Sequence, residues 1–315
     1  MLSRRLLRIK VMQTVYAYHK NEGVTLQQAE NNMFHSIHKS FELYHLLLLL
    51  LVDVQAYAAN RIEIGRNKKR PSPEELNPNT KFINNRLLVL LLENKQLSKF
   101  VEQTGLSWSN YPEMIKSVYE QICMSELYAQ YMESEENSFE NDHKFIVKLT
   151  EKVIAQYEPL YSYIEEQSVF WNDESEFVMS MVIKTLKEYN EKLGENQQLL
   201  PEFKDEDDKE FVISLLRKSI LNHSEIPELI KKHLRNWELE RVAFMDVVLM
   251  EIALAEMMEF SAIPIKVTLN EYIEIAKHYS TPKSGFFING LLDKIITEYK
   301  STGQIRKIGS ELDLN

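Results

Sequence analysis

Arg4, Arg5, Arg8, Lys10 and Lys20 place five cations and no acid within the first twenty-one residues of a chain whose formal net charge is −10. The chemistry such residues offer is anion binding: a guanidinium forks two parallel N–H donors onto a phosphate or carboxylate. At 100° per residue Arg4, Arg5 and Arg8 share an arc of about 100° on a helix, with Lys10 well off it. That strip would lie in the first turns, where free backbone N–H groups and the positive dipole end also favour a phosphate. Tyr16 and Tyr18 are the nearby rings on which unpaired bases could stack.

Other constellations carry less. His35, His38 and Glu42 share a helix face but lack a fourth ligand, so no metal and no cofactor is expected. Glu271 and Glu274 read as solvated or capping carboxylates before they read as an acid–base pair. The basic stretch RNKKRP at 66–71 reads first as a solvated loop. No phosphate-cradling glycine loop, nucleophile elbow or zinc spacing occurs, and the single cysteine, Cys123, forms neither an internal disulfide nor a Cys-x-x-Cys site. The chain is therefore read as a binding protein, not an enzyme, in a reducing compartment. Its acidic balance confines nucleic-acid contact to a local patch.

The elements positioning these residues are helices. Hydrophobic content of 44%, 27% charged residues, eight glycines and nine prolines leave little material for tight turns, and apolar residues recur at helical spacing; the fold class is all-α. Breaks are expected at 66–80, 104–112, 133–142 and 192–208, where proline, asparagine and charge cluster. The leucine blocks 46–51 and 87–92 stop, at Asp53 and Glu93, short of a membrane span and read as buried helix, so no membrane is expected. Slid on itself by 66 residues, the chain superposes Trp171 on Trp237 and Met179 on Met245, with nine identities between 145–183 and 211–249; a decayed duplication and chance helical periodicity both stay open. Thr268 with Glu271 fits a capping box opening a helix over 269–279, and Thr281-Pro282 a second helix start. In that last helix Phe286, Phe287, Leu291, Leu292 and Ile295 form a core stripe, and Gly290 calls for a close neighbour to offset its cost.

The run IPIKVTLNEYIEIAKHYSTPKSGFFINGLLDKI, preceded by NWELERVAFMDVVLMEIALAEM, resembles the C-terminal helices of the transcription antitermination factor NusB family, over 208–299 without a gap. The start RRLLRIKVMQTVY resembles the family's arginine-rich first helix. The resemblance implies two packed helical subdomains, 1–64 and 208–300, around a helical insertion at 65–207 that is a candidate degenerate repeat of the bundle, with a flexible tail at 301–315. It implies a cytoplasmic RNA-binding factor in ribosomal RNA transcription, pairing with a small-subunit ribosomal protein in the NusE role on boxA-like single-stranded RNA within the RNA polymerase elongation complex; a homodimer is allowed. Carried over by position, the RNA-binding residues are Arg4, Arg5, Arg8, Tyr16, Lys277, Asn289 and Lys294. Glu251 stands where the family has arginine and Ala255 where it often has tyrosine, which leaves borrowed interface detail open on that helix. The rivals are a helical interaction scaffold without RNA binding, and a ribosomal RNA cytosine methyltransferase, which carries a NusB-like domain but needs catalytic cysteines and a cofactor loop absent here.

Overall fold

A computed structural model describes residues 3–223, 225–234 and 242–308. Among them are fifteen α-helices and no strand: α1 (Arg4–Lys20), α2 (Leu26–Arg66), α3 (Pro73–Leu76), α4 (Arg86–Leu92), α5 (Lys95–Thr104), α6 (Pro112–Cys123), α7 (Glu126–Glu133), α8 (Phe139–Lys152), α9 (Glu158–Gln167), α10 (Ser175–Glu188), α11 (Glu206–Asn222), α12 (Ile226–His233), α13 (Phe244–Glu259), α14 (Ile265–Tyr279) and α15 (Ser284–Ser301). The expected breaks coincide with helix ends: α2 stops at Arg66, α5 at the left-handed Gly105 (φ 68°), and α8 and α11 start behind the capping side chains of Ser138 and Asp205.

The chain folds as two compact units, His38–Glu202 and Leu2–Ile37 with Phe203–Asn315. In the first, α8 packs against α4, α7 and α10. The α2 backbone is held there by the indoles: Trp108 donates to the Leu46 carbonyl (2.8 Å) and Trp171 to that of Lys39 (2.7 Å). Both leucine blocks are helical and largely buried, although Leu92 is exposed. Asp53 does not end its helix, so α2 is a single 41-residue rod long and apolar enough to cross a membrane. Yet 67% of its apolar window is buried inside the protein, as in a core helix.

In the second unit α13 is central, contacting α1, α11, α14 and α15. Its residues are buried from Asp246 to Met257, so the helix has no wet face and three acids, Asp246, Glu251 and Glu256, lie in the interior. Asp246 accepts from Ser280 (2.6 Å) and Ser284 (2.9 Å), tying α13 to the start of α15. Residues 302–308 fold back on the unit: Ile305 is buried, Lys307 Nζ donates to the Phe260 carbonyl (2.8 Å) and Ile308 N to that of Ser261 (3.1 Å). The rest of the stretch expected as a tail, 309–315, lies outside the described residues, as does Trp237.

Several local expectations are corrected. No capping box opens α14; the helix starts at Ile265 behind Pro264, and Thr268 is an interior residue whose hydroxyl faces Glu256. α15 begins at Ser284 rather than at Pro282, with the Ser284 hydroxyl accepting from Thr281 N (3.1 Å). Phe286 is 89% exposed and not part of the core stripe, which Ile288, Leu291, Leu292 and Ile295 supply. Among the described residues a Cβ at Gly290 would meet nothing within 4 Å, so none of them makes the close approach expected to offset this glycine.

Candidate nucleic-acid interface

α1 is fixed in register by the Ser3 side chain, which accepts from Leu6 N (3.3 Å), and by Leu6, Leu7, Val11, Met12 and Val15, which face the core. This rotation sets the three arginines at different depths. Arg4 and Arg5 have side chains 44% and 51% exposed, whereas Arg8 is only 3% exposed. The expected strip is thus two open guanidiniums followed by a buried one, because the arc of α1 carrying Arg8 turns toward α13.

Each arginine has an acidic partner. Arg4 Nε bonds Asp208 (2.9 Å), with its guanidinium 5.2 Å from the centre of the Phe211 ring. Arg5 grips Glu271 with two bonds of 2.8 and 2.9 Å. The hydrogen bond to Arg5 holds the Glu271 carboxyl below its ordinary range, and the same contact raises Arg5. Arg8 makes a bidentate pair with fully buried Glu256 (2.7 and 2.8 Å) and approaches Glu271 at 3.7 Å. Glu256 accepts in addition from Thr268 (2.8 Å) and Tyr272 (3.0 Å). Burial opposes the charge on Arg8, but the bonds to Glu256 outweigh it and hold the guanidinium protonated; burial, then the Glu256 charge, lifts the Tyr272 phenol well above its usual value.

The magnitudes separate these pairs. A fully exposed ion pair contributes about 0–1 kcal/mol; Arg4 and Arg5 are half-exposed, while their carboxylate partners Asp208 and Glu271 lie deeper, 6% and 20% exposed. Breaking a buried, fully bonded pair costs about 3–5 kcal/mol, so Arg8 stays with Glu256 and serves to hold α1 on α13 and α14. The groove beside Arg4 also carries Asp207, Glu210 and Glu259, which oppose a polyanion on that side. Arg5 is the more accessible contact.

Tyr16 is 36% exposed and packs edge-on against Phe244 (5.3 Å), with Lys20 4.0 Å above the Phe244 ring. Lys277 is exposed and bonds Glu274 (2.5 Å), one turn from Glu271. Asn289 makes a long contact with Asp293 (3.5 Å), and Lys294 is exposed on α15. The structure therefore brings Arg4, Arg5 and Arg8 together around Phe211 and Glu271. No contact of Tyr16, Asn289 or Lys294 with that cluster is seen among the described residues. Reading the sequence missed Asp208 and Glu256, and gave Glu271 to a helix cap rather than to Arg5. Glu256 had a signal: a carboxylate inside a continuous apolar helix requires buried hydrogen-bond donors or a cation.

The model of the NusB family matches residues 176–297. The chain is 37% identical over 137 residues to the transcription antitermination protein NusB of Salinibacter ruber, covering 42% of this chain and 86% of that protein. It is 47% identical over 104 residues to that of Chloroherpeton thalassium (33% of this chain, 49% of that protein). With that of Acetivibrio thermocellus the identity is 36% over 91 residues (29% and 63%). A solved structure of T. maritima NusB aligns with 50% of this chain and 94% of its own at 28% identity, with a TM-score of 0.29. The chain belongs to the NusB family of transcription antitermination factors, non-enzymatic proteins, as a long variant with additional helices.

Proposed function

We propose that this antitermination factor binds boxA-type single-stranded RNA together with a small-subunit ribosomal protein in the NusE role, within the elongation complex that transcribes ribosomal RNA in the cytoplasm. The observation that carries the reading is the pair of half-exposed guanidiniums, Arg4 and Arg5, in the first turns of α1. Phosphates exchange with Glu271 and Asp208 at these two positions, while Arg8, locked to Glu256, keeps the helix seated. Tyr16 offers a ring for base stacking, and Lys277, Asn289 and Lys294 extend the contact along α14 and α15.

A second reading has its own observation. All three arginines already carry carboxylate partners, as suits a helical scaffold that binds proteins without RNA.

Fluorescence-anisotropy titration of labelled boxA-type RNA, with and without the ribosomal protein, separates the two. For the RNA reading, Arg4→Ala/Arg5→Ala weakens binding and lowers the slope of log affinity against log salt by about 1.4, two phosphates at ~0.7 each. Unchanged affinity and slope in the double variant refute the site. Binding of the ribosomal protein without RNA affinity supports the scaffold.

A further inference from the structure

The last turn of α1, the C-terminal cap of α11 and the middle of α13 bring His19, His223 and Glu251 into one cluster. His19 Nε2 lies 3.1 and 3.2 Å from the two Glu251 carboxylate oxygens, and His223 Nδ1 lies 2.9 Å from Oε2. One ligand atom from each of the three residues falls within 4.8 Å of the other two. The Glu251 side chain is fully buried, that of His19 is 7% exposed and that of His223 36%. The contrast with Glu256, five residues along the same helix, is chemical. Glu256 meets a guanidinium and two hydroxyls, a complete set of donors around a permanent cation. Among the described residues Glu251 meets two imidazoles, groups that offer a lone pair as readily as a proton.

We propose that His19, His223 and Glu251 form a binding site for a divalent transition ion of the zinc class, with the fourth position open to water on the side where His223 reaches solvent. Two imidazoles and one carboxylate are a zinc donor set that leaves one position free. With ligands at about 2.0–2.2 Å, tetrahedral geometry spaces donor atoms at ~3.3 Å. The observed imidazole–carboxylate spacings of 2.9–3.2 Å are a few tenths of an ångström short of that, and the two imidazole donors lie within 4.8 Å of each other. The set has no thiolate to favour Cu(I) and too few oxygens for Mg²⁺ or Ca²⁺. Ligation requires His19 to carry its proton on Nδ1 and His223 on Nε2, the reverse of the tautomers that donate to Glu251. The rings, now stacked at 3.6 Å and 28°, must also fan apart until both lone pairs point at the ion. His223 can make that turn, because it caps a helix and is partly exposed. Phe244, edge-on to His19 at 6.3 Å, supplies an apolar wall. An ion held here neutralises a buried carboxylate and links α1, α11 and α13, the helices that also position Arg4, Arg5 and Arg8.

The test uses the full, untagged chain, stripped with a chelator and titrated with Zn²⁺ against a chromophoric competitor, then with Co²⁺. The expected result is one equivalent bound with Kd of about 1 μM or tighter, and Co²⁺ visible bands of tetrahedral type. His223→Ala weakens binding by at least ~100-fold, more than the 10–100-fold typical of losing an outer partner of a ligand. His278→Ala, an exposed histidine on α14, leaves it unchanged. Because Glu251→Gln can disturb folding, the decisive readouts are the affinity of His223→Ala and the imidazole ¹⁵N spectra of the unaltered protein, where Zn²⁺ must shift His19 Nε2 and His223 Nδ1. Absence of stoichiometric binding, binding that survives His223→Ala, or unmoved ring nitrogens overturns the proposal.

Discussion

The Arg8–Glu256 pair permits a quantitative test of what seats the opening helix. Four hydrogen bonds converge on Glu256: two from Arg8 (2.7 and 2.8 Å), one from Thr268 (2.8 Å) and one from Tyr272 (3.0 Å). Glu256→Gln keeps the shape and one acceptor oxygen but removes the buried charge, so Arg8, 3% exposed, keeps as its nearest anion the carboxylate of Glu271 at 3.7 Å. Breaking such a pair costs about 3–5 kcal/mol, and the residual Glu271 contact puts the expected loss near the lower end, ~3 kcal/mol, roughly 150-fold in the folding equilibrium. Arg8→Met should cost as much, by stranding the buried carboxylate. Arg8→Met with Glu256→Met removes both charges and leaves only two hydroxyls without their acceptor, about 1 kcal/mol each, so the double variant should be more stable than either single one. Because the two units need not unfold together, the assay is amide hydrogen exchange of α1, α13 and α14 in urea. A loss below ~1 kcal/mol for Glu256→Gln, or additive losses in the double variant, would refute the reasoning.

Three further outcomes are expected. Gly290→Ala, at an exposed helical position where a Cβ meets nothing, should stabilise α15 by about 0.5–1 kcal/mol in thermal unfolding. His45 is pushed down to about 4 from 6.5 by burial, against the opposing bond to the Phe41 carbonyl. Protons then bind the unfolded chain first: this contribution is intact above pH 6.5, falls as pH drops toward 4, and totals about 3 kcal/mol at 1.36 kcal/mol per unit. Exchange protection across residues 38–202 should follow that profile, and His45→Phe should flatten it. Asp142, which accepts from Arg86 N (3.0 Å) and Tyr131 OH (2.6 Å), should lose ~2 kcal/mol on change to Asn, whereas Asp208→Asn should lose less, about 1 kcal/mol in urea unfolding, because Asp208, though as deeply buried, meets a half-exposed guanidinium that can turn to water.

The helices and their breaks were legible because the signals are local: Ser138 and Asp205 satisfy free amides at helix starts, and Gly105 takes the left-handed angle that ends α5. What was not legible depends on the partner across the interior. Thr268 and Glu271 have the spacing of a capping box, but tertiary contacts claim both, Thr268 for Glu256 and Glu271 for Arg5. The spacing of Arg4, Arg5 and Arg8 defines a shared arc, yet only the packing of α1 decides that Arg8 lies inside it and Arg5 at the rim. Phe286 fits the core periodicity of α15 while lying on the solvent side, since α14 and α13 cover only part of that arc. The His19–His223–Glu251 cluster joins residues up to 232 positions apart, which no window along the chain brings together.

The 66-residue offset can be set beside the helix spans. Shifted by 66, α8, α9 and α10 fall at 205–218, 224–233 and 241–254, against observed spans of 206–222, 226–233 and 244–259. Phe145 and Phe211, Leu149 and Leu215, Ile164 and Ile230, and Val182 and Val248 are buried in both members of each pair, which shared amphipathicity alone would produce. Asp142 and Asp208 are harder to attribute to periodicity. Each is a buried acid in the first turn of its helix, three or four residues after a capping side chain, and each accepts from the arginine that opens another helix, Arg86 by its backbone and Arg4 by its guanidinium. A duplicated helical unit would retain such a polar lock while its surface drifted. The 66-residue offset also sets unlike side chains against each other. At the position of Glu251 the other unit has Thr185, whose hydroxyl pairs with Tyr44 and the Met181 carbonyl, and at that of His223 it has Tyr157. In residues 38–202 this position is closed with neutral hydrogen bonds; at 251 a carboxylate stands with imidazoles set against it.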